Sequence, residues 1–388
     1  MGQESLILQV FSQQVDPVFK FLHRPSLSRY FIDGQSYLSH EPSHPAPKAL
    51  KSAVFYAASC SMDNEQCLEL FQMKRDMMVA KYHQETEVNL QRADYLNQHD
   101  FTTLQALVLF LLFLQTKGQF QQAWTMLSLA LRIAQSLSLH LPDSPFPVSP
   151  CERELRRRLW HAIGFLDLQT SYRRCSEPMM RADWLQSHTL SNTNDIDFSY
   201  PRNTPLPPAP NDTFTDATFP IIIAEAQCAA RSLSFSSFLG PVAKDMTKRQ
   251  QKFSDFRRNT LPYLAGCNPN AVPFHWFVKE VVSVIHASLQ LEVLEPLDKN
   301  SDFVPPPVPE GGMLKLAAKT LEATRVLCQD SRSKPFRWFL ALFLPWHALS
   351  VALDNIYLCD DPALFESCWP LVDQTYSRIR DQETLSDT

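Results

Sequence analysis

Glycine is scarce in this chain and proline is abundant, and this imbalance restricts the available folds more than any other feature. Only 8 of the 388 residues are glycine, whereas 29 are proline. Rossmann sheets, β-sandwiches and propellers use glycine where tight turns require a positive φ. The imbalance therefore favours helices joined by proline-rich connections. Because 45% of the residues are hydrophobic, the chain can bury a large core, and disorder is excluded as its main state.

Proline-rich stretches divide the sequence, and the apolar spacing between them is helical. Proline fixes φ and lacks an amide donor, so helices end at such places. The stretches are at 41–47, 142–150, 201–210 and 305–312. No strand-like alternation persists between them. We therefore predict an all-α fold, a large multi-helix bundle with an N-terminal helical half at 1–200 and a C-terminal helical half at 201–388, joined by a proline-rich segment.

Local signals predict individual helices in the first half. Apolar residues from Cys67 to Tyr82 are predicted to share one face of a long helix. Thr102 and Gln105 have the spacing of a capping box, and Gly118 is predicted to end that helix. The segment 121–139 contains one charged side chain and is predicted to be a helix buried among others.

The clearest helix start in the sequence is at Ser149. Its hydroxyl can cap the helix, Pro150 suits the first helical position, and Glu152 completes a capping box. Two i,i+4 ion pairs follow, Glu152–Arg156 and Glu154–Arg158, on a helix whose buried stripe includes Leu155, Leu159, Ile163 and Leu166. Later helices are predicted at Phe214–Phe238, Phe274–Glu295, Met313–Asp330, Phe336–Tyr357 and Ala363–Arg380.

Charge and cysteine usage exclude several functional classes. The formal net charge of −5 gives no overall field that would attract nucleic acid. Nine cysteines, an odd number with no C-x-x-C pair, indicate reduced thiols in an intracellular protein. The N-terminus shows no secretory signal, and the most apolar run, Ala106–Leu114, has about half the length needed to cross a bilayer.

The sequence offers little for catalysis or metal binding. His40, Glu41 and His44 match the zinc-protease pattern H-E-x-x-H, but the surrounding prolines predict a loop in place of the required helix. No nucleophile elbow and no phosphate-binding loop occur. We therefore assign no catalytic, cofactor-binding or metal-ligating residue, and we expect no cofactor in this chain.

Several charged and aromatic positions have a structural interpretation that we favour over a functional one. Arg156–Arg158 and the basic stretch from Lys244 to Arg258 are predicted to be ion-paired or solvated helix faces rather than nucleic-acid contacts. Asp167 lies beside an apolar stripe, so it would need a partner such as an arginine. The C-terminal aromatic residues are predicted to pack in the core; they are Phe336, Trp338, Phe339, Trp346 and Tyr357.

Six segments occur in an order that resembles a known family. They are FSQQVDPVFKFLHRPSL from Phe11, LKSAVFYAASCSM at 50–62, FTTLQALVLFLLFL at 101–114, WTMLSLALRIAQSLSLH at 124–140, SPCERELRRRLWHAIGFLD at 149–167 and PWHALSVAL at 345–353. The series closely resembles the fungal-specific transcription factor domain, or middle homology region, of zinc-cluster regulators. The most specific part is ALRIAQSLSLH followed by E-x-E-x-RRRLW.

The resemblance implies an all-helical, nuclear regulatory domain that responds to an effector. In such proteins a separate N-terminal six-cysteine module holds the zinc and reads DNA; that module does not precede Met1 here, so zinc is expected only in full-length relatives. The expected partners are a second copy or another zinc-cluster regulator in a dimer, and a small-molecule effector. No direct DNA contact and no membrane association are expected.

Two functions are compatible with these observations, besides a purely structural role as a dimerisation module. The first is a fungal transcription regulator, in a subtype whose relatives are similar to regulators of secondary-metabolite genes. The alternative is a small-molecule-binding protein or biosynthetic enzyme that evolved from this domain. For that alternative the candidate residues are Asp167, His161 and the pair Trp346-His347, although no pattern singles them out as catalytic.

Overall fold

The computed structural model describes residues 2–384 except for 42, 175, 198–212, 236–244 and 297–305. Its regular structure within these residues is helical, without strands, which confirms the all-α prediction. The first eight helices are α1 Gln3–Gln14, α2 Arg24–Ile32, α3 Pro45–Ser61, α4 Asn64–Phe71, α5 Arg75–Arg92, α6 Phe101–Thr116, α7 Phe120–Ser136 and α8 Pro150–Arg174. The others are α9 Ala182–Gln186, α10 Thr218–Ser234, α11 Met246–Thr260, α12 Pro273–Leu294, α13 Gly312–Gln329, α14 Arg337–Leu340, α15 Trp346–Ile356 and α16 Pro362–Thr384. Short 3₁₀ helices lie at Asp195–Asp197, Leu261–Leu264 and Ser331–Phe336.

Helix α6 is buried on all sides, because it is apolar around its whole circumference. It packs against α3, α5, α7 and α8. Its two buried glutamines each donate a hydrogen bond: Gln105 donates to the Phe21 carbonyl at 2.7 Å and Gln115 donates to the Thr170 hydroxyl at 2.6 Å. Gly118 has a φ of 80° just after the helix ends, as predicted.

The start of α6 differs from the prediction. Asp100, not Thr102, is the capping residue, and its carboxylate accepts a hydrogen bond from the Thr103 amide at 2.9 Å. An aspartate two residues upstream caps at least as well as threonine, so the helix begins earlier and Gln105 is free to bond elsewhere.

Two of the predicted helices are divided in the structure. Gln72 adopts the left-handed conformation, with a φ of 55°, and ends α4, so Cys67 and Tyr82 lie on different helices. The helix predicted at Phe336–Tyr357 is interrupted between α14 and α15. Pro345 explains this break, because it lacks an amide donor and disfavours the helical conformation of the preceding residue.

Helix α7 has one exposed face, contrary to the prediction that it is buried among other helices. Ala123, Leu127 and Ala130 are buried, whereas Thr125 and Ser128 are exposed. Uncharged polar side chains can face water as charged ones do, so the lack of charge did not indicate burial. The helices predicted at 274–295, 313–330 and 363–380 are confirmed closely, and α10 is shorter at both ends than predicted.

The hydrophobic core consists of two clusters. The larger cluster extends from α1 to α12 and includes Phe336–Leu342, and the smaller one joins α13, α15 and α16 with Leu291 of α12. In the larger cluster Phe165 stacks on Phe339 with ring centroids 5.8 Å apart. The predicted boundary between halves lies outside the described residues, so that division of the chain stays a prediction.

A buried ionic network fixes the N-terminal segment to α8. Arg158 donates to Glu154 on its own helix and to Asp195, each at 3.0 Å. Lys20 contacts Asp16 at 2.5 Å and Asp195 at 2.7 Å. All five side chains are buried. The Glu154–Arg158 pair is therefore not the exposed surface pair that its i,i+4 spacing predicts.

The charge of Asp195 depends on this network. Burial opposes its ionisation, but the Lys20 ammonium and the Arg158 guanidinium outweigh that effect and hold the pKa of Asp195 well below its usual range. A carboxyl group with a lowered folded pKa stabilises the fold above its unfolded pKa and loses that contribution as the pH falls.

We expect Asp195→Asn to lower the free energy of unfolding by about 3–5 kcal/mol at neutral pH, because it leaves two buried cations without their shared carboxylate. Urea denaturation followed by circular dichroism measures this change. The control is Asp183→Asn, which alters an exposed pair with Arg181 and should change stability by less than about 1 kcal/mol. Equal effects of the two variants would contradict a stabilising role of the network.

Candidate functional site

An apolar cavity lies between α8, α10, α12 and the segment that connects α14 to α15. The cavity volume is about 70 Å³. This is smaller than drug-sized sites, which occupy roughly 300–1,000 Å³. The lining residues are Phe165, Leu168, Gln169, Tyr172, Ile223, Ala226, Gln227, Ala230, Val284, Ile285, Ser288, Leu289, Leu291, Glu292, Phe343, Leu344, Pro345, Trp346, His347 and Ala348.

Glu292 is the acidic side chain of this cavity and is almost completely buried. One carboxylate oxygen accepts a hydrogen bond from the Tyr172 hydroxyl at 3.1 Å, and the other accepts one from the Ser234 hydroxyl at 2.7 Å. Burial raises the pKa of Glu292 to about 7, although both hydroxyls stabilise the carboxylate. Burial and the adjacent Glu292 also raise the pKa of Tyr172 well above its usual value.

Arg249 bonds to the backbone next to Glu292 but does not line the cavity. Its guanidinium donates to the backbone carbonyls of Val293 at 2.9 Å, Leu233 at 2.8 Å and Glu292. These bonds join α11 to the ends of α10 and α12. The sequence predicted a solvated helix for this basic stretch, and Arg249 contradicts that interpretation because it is completely buried. Lys244, at the start of the stretch, lies outside the described residues.

Asp167 and Arg231 hold α8 against α10 beneath the cavity. The Arg231 guanidinium donates to the Asp167 carboxylate at 3.1 Å, and the amides of Met179 and Met180 each donate to it at 2.9 Å. The structure thus provides the arginine partner that the sequence predicted for Asp167. Burial nevertheless raises the pKa of Asp167, despite these donors.

Gly164 allows α8 and α10 to approach closely. A Cβ atom at this position would lie 2.7 Å from the Gln227 side-chain oxygen and 2.8 Å from a methyl group of Leu185. Both distances are below van der Waals contact. The carbonyl of Gly164 also accepts a hydrogen bond from Arg231 at 2.6 Å. A larger residue would therefore require the side chains of Gln227 and Leu185 to shift.

The candidate residues for an enzymatic alternative do not form one site. The His161 ring donates from Nε2 to the His188 carbonyl at 2.7 Å, and burial lowers the pKa of His161 to about 4. Asp167 is bound to Arg231 and is not among the residues that line the cavity. Trp346 and His347 do line it, at the start of α15. The structure thus brings only this last pair to the cavity.

The H-E-x-x-H pattern does not form a helical metal site. His40 and Glu41 precede α3, and His44 caps that helix by accepting from the Ala46 amide at 3.3 Å. Pro45 and Pro47 lie in the first turn of α3, where proline is tolerated, so the helix begins only after His44 and the described residues of the pattern lie in the predicted loop. Across the described residues, no three His, Cys, Asp or Glu side chains are grouped to hold a metal ion.

The other positions that we interpreted as structural have separate environments. Phe336, Trp338 and Phe339 are buried in the larger core, as predicted, whereas Tyr357 is 90% exposed. Arg156 pairs with Glu152 at 2.8 Å. None of the helices described here is both long and apolar enough to span a membrane.

Comparison with known proteins identifies the family. A family profile described as "Fungal specific transcription factor domain" matches residues 8–260, which is more than half of the chain. The chain belongs to this family. The match covers α8 and α10, so the Asp167–Arg231 pair lies within the matched residues, whereas Glu292 on α12 lies beyond them.

Curated relatives extend the similarity along almost the whole chain. The C6 finger domain transcription factor nscR of Aspergillus fumigatus is 32% identical over 389 aligned residues, which cover 96% of this chain and 49% of the relative. The C6 finger domain transcription factor adaR of Aspergillus niger is 34% identical over 394 aligned residues, which cover 95% of this chain and 50% of the relative. The chain thus spans about half the length of the curated relatives it matches.

Sequence reasoning missed Glu292 and the burial of Arg249. Glu292 lies in the segment LQLEVL, where a single acid interrupts an apolar run. Such an isolated acid on an otherwise apolar helix could have indicated a buried carboxylate. Arg249 has no such signal, because neighbouring lysines and arginines give its helix the appearance of an exposed surface.

We expect the raised pKa of Glu292 to affect how the stability of the protein depends on pH. Its folded pKa is raised, so its favourable contribution is complete below the unfolded pKa and decreases as the pH rises from about 4.5 to about 7. Glu292→Gln should remove this decrease. Over that interval its free energy of unfolding should rise by up to about 3 kcal/mol relative to that of the unsubstituted protein. Urea titrations at several pH values test this. For the exposed control Glu366→Gln we expect the same dependence of the free energy of unfolding on pH as for the unsubstituted protein. If Glu292→Gln also showed that same dependence, the raised pKa of Glu292 would be contradicted.

Proposed function

We propose that this chain is the regulatory domain of a fungal transcription regulator that controls secondary-metabolite genes. The observation that carries the proposal is the family match over residues 8–260, together with relatives whose names describe C6 finger domain transcription factors. Since the chain spans about half of those relatives, the activity of a whole regulator is part of the proposal. The proposed location is the nucleus, and the proposed role is regulatory rather than enzymatic.

We propose that DNA is recognised by residues other than those that the structure describes in this domain. Arg158 and Arg249, in the two basic segments of the sequence, are buried and bond to protein groups. A buried guanidinium cannot neutralise a DNA phosphate. The proposed partner that contacts DNA is a zinc-cluster module, either in a longer form of this protein or in a second regulator with which the chain forms a dimer.

The proposed input to the domain is a small molecule in the cavity between α8, α10, α12 and α15. Its apolar walls and few fixed polar groups are typical of small-molecule sites. A ligand that binds one arrangement of the helices better than another shifts the population of the domain toward that arrangement. The domain could thereby convert the concentration of an effector into a change in transcription.

A small-molecule-binding protein or biosynthetic enzyme of the same pathway is the second candidate function. The cavity, with Trp346 and His347 on its wall, is the observation that favours it. In this case the chain would bind or convert a pathway intermediate without controlling transcription.

Deletion of the gene separates the two functions. For a regulator we expect transcripts of its target biosynthetic genes to fall at least about tenfold, because their transcription depends on it. Loss of an enzyme that catalyses one step would leave these transcripts unchanged. Quantitative transcript measurement and metabolite profiling of the same cultures provide the readout. Accumulation of one intermediate with unchanged transcripts would contradict regulation and support the second candidate.

Complementation and localisation provide the controls. The unsubstituted gene and the surface variant Asp183→Asn should both restore transcripts, because Asp183 is exposed and its ion pair is with exposed Arg181. A fluorescent fusion that restores transcripts should accumulate in nuclei. Exclusion of this functional fusion from nuclei would contradict the proposed location.

A further inference from the structure

A second cavity, which we call the polar cavity, lies between α10, α11 and the segment that follows α9. Its volume is about 430 Å³, compared with about 70 Å³ for the apolar cavity described above. This volume is within the range of small-molecule sites, which is roughly 300–1,000 Å³. Small side chains of α10 form one wall, at Ala224, Cys228, Ala229 and Ser232, and Phe256 of α11 contributes to another. The polar cavity is therefore large enough for an organic ligand.

Helices α10 and α11 run antiparallel along the polar cavity. Arg249, near the start of α11, donates to the carbonyl of Leu233 near the end of α10 at 2.8 Å. Asn259, near the end of α11, donates to the Glu225 carboxylate in the first half of α10 at 3.4 Å. Lys252 lies one turn after Arg249, and it is separated from Asn259 by about 10 Å along the helix axis. Lys252 and Glu225 are thus at opposite ends of the cavity.

Two acids and two bases of the described chain line the polar cavity. Asp255 and Arg258 pair with each other at 2.7 Å. Among the residues that the structure describes, neither Glu225 nor Lys252 has an ion-pair partner, and the bond that Glu225 accepts from Asn259 comes from a neutral amide. The cavity therefore has a cation at one end and an anion at the other, each without a counter-ion from the described protein groups.

The two histidines that line the polar cavity add no charge to it at neutral pH. Burial lowers the pKa of His161 to about 4, and burial also lowers the pKa of His188 below its usual value. The charges of the lining residues named here therefore sum to zero. A ligand that carries only a positive or only a negative charge can pair with one end of the cavity, whereas a ligand with both charges can pair with both ends.

We propose that the polar cavity binds a zwitterion whose carboxylate and ammonium groups lie at opposite ends of an apolar body. The carboxylate would pair with Lys252 and the ammonium with Glu225, while the apolar body lies against Ala224, Cys228 and Phe256. Linear ω-amino acids have this form. An α-amino acid does not, because its two charges are adjacent and cannot reach both ends of the cavity. This inference does not rest on the proposed regulatory function.

The binding test uses 8-aminooctanoic acid as the probe and the purified 388-residue chain, with isothermal titration calorimetry at neutral pH as the measurement. We expect saturable binding to a single site. The isomer 2-aminooctanoic acid has the same atoms and the same net charge, but its two charges are adjacent. We expect it to bind at least about tenfold more weakly, as the loss of one bond to a charged group predicts.

Removal of each end charge should affect two singly charged ligands, octanoic acid and octylamine, in opposite ways. Lys252→Met should weaken binding of 8-aminooctanoic acid and octanoic acid about tenfold and change that of octylamine by less than about twofold. Glu225→Gln should weaken 8-aminooctanoic acid and octylamine by a similar factor and leave octanoic acid unchanged. The matched controls are Lys248→Met on α11 and Glu366→Gln on α16. Both residues are exposed, neither lines the polar cavity, and neither substitution should alter binding.

A substitution in the wall tests whether the ligands occupy the polar cavity rather than the apolar one. Ala229→Leu places a larger side chain in the polar cavity and should weaken binding of 8-aminooctanoic acid, octanoic acid and octylamine. Its matched control is Ala230→Leu on the same helix, since Ala230 has similar burial but lines the apolar cavity, so it should leave binding unchanged. Circular dichroism and thermal melts establish that each variant is folded before binding is compared.

The proposal is overturned if 8-aminooctanoic acid shows no saturable binding or if its isomer binds equally well. It is also overturned if Lys252→Met and Glu225→Gln do not discriminate between octanoic acid and octylamine, or if the two alanine variants bind alike. Should an alanine variant fail to fold, the isomers and the charge variants still decide the outcome. Binding is measured without transcription, so loss of this inference would leave the transcript experiment to decide the proposed function separately.

Discussion

Buried guanidinium groups fix the helices of this domain, because a buried cation must be paired at defined positions. Arg158 connects α8 with Asp195, and Arg231 connects α10 with Asp167 on α8. Arg249 connects α11 with carbonyls at the ends of α10 and α12. Apolar contacts supply most of the driving force for burial, but they are not directional. The arginine bonds therefore select one arrangement among those that bury similar apolar area.

The cavity depends on this arrangement. Its walls come from α8, α10 and α12, and these helices are held by Arg231 on one side and by Arg249 on another. The break at Pro345 turns the chain so that Phe343 and Trp346 complete the wall. The same break separates the larger core from the smaller one. The residues that line the cavity belong to both cores.

The sequence predicted most helices but only part of the site. Periodic apolar residues and the Ser149–Pro150 start gave α8 correctly, and the need of Asp167 for an arginine was recognised before Arg231 could be named. The structure corrected the environment of Arg158 and Arg249, which the sequence interpreted as surface residues. Charge alone does not distinguish a solvated guanidinium from a buried one, because burial depends on partners that lie far away in the chain.

Sequence by itself determined the helical class, the family resemblance and the absence of a recognisable catalytic motif. Those properties depend on spacing within short segments, where neighbours along the chain are also neighbours in space. Tertiary structure alone decided that Tyr172, Ser234 and Glu292 meet at one end of an apolar cavity. Ser234 and Tyr172 are 58 and 120 residues away from Glu292 in the chain. No local pattern encodes such a distance, because it is set by the packing of whole helices.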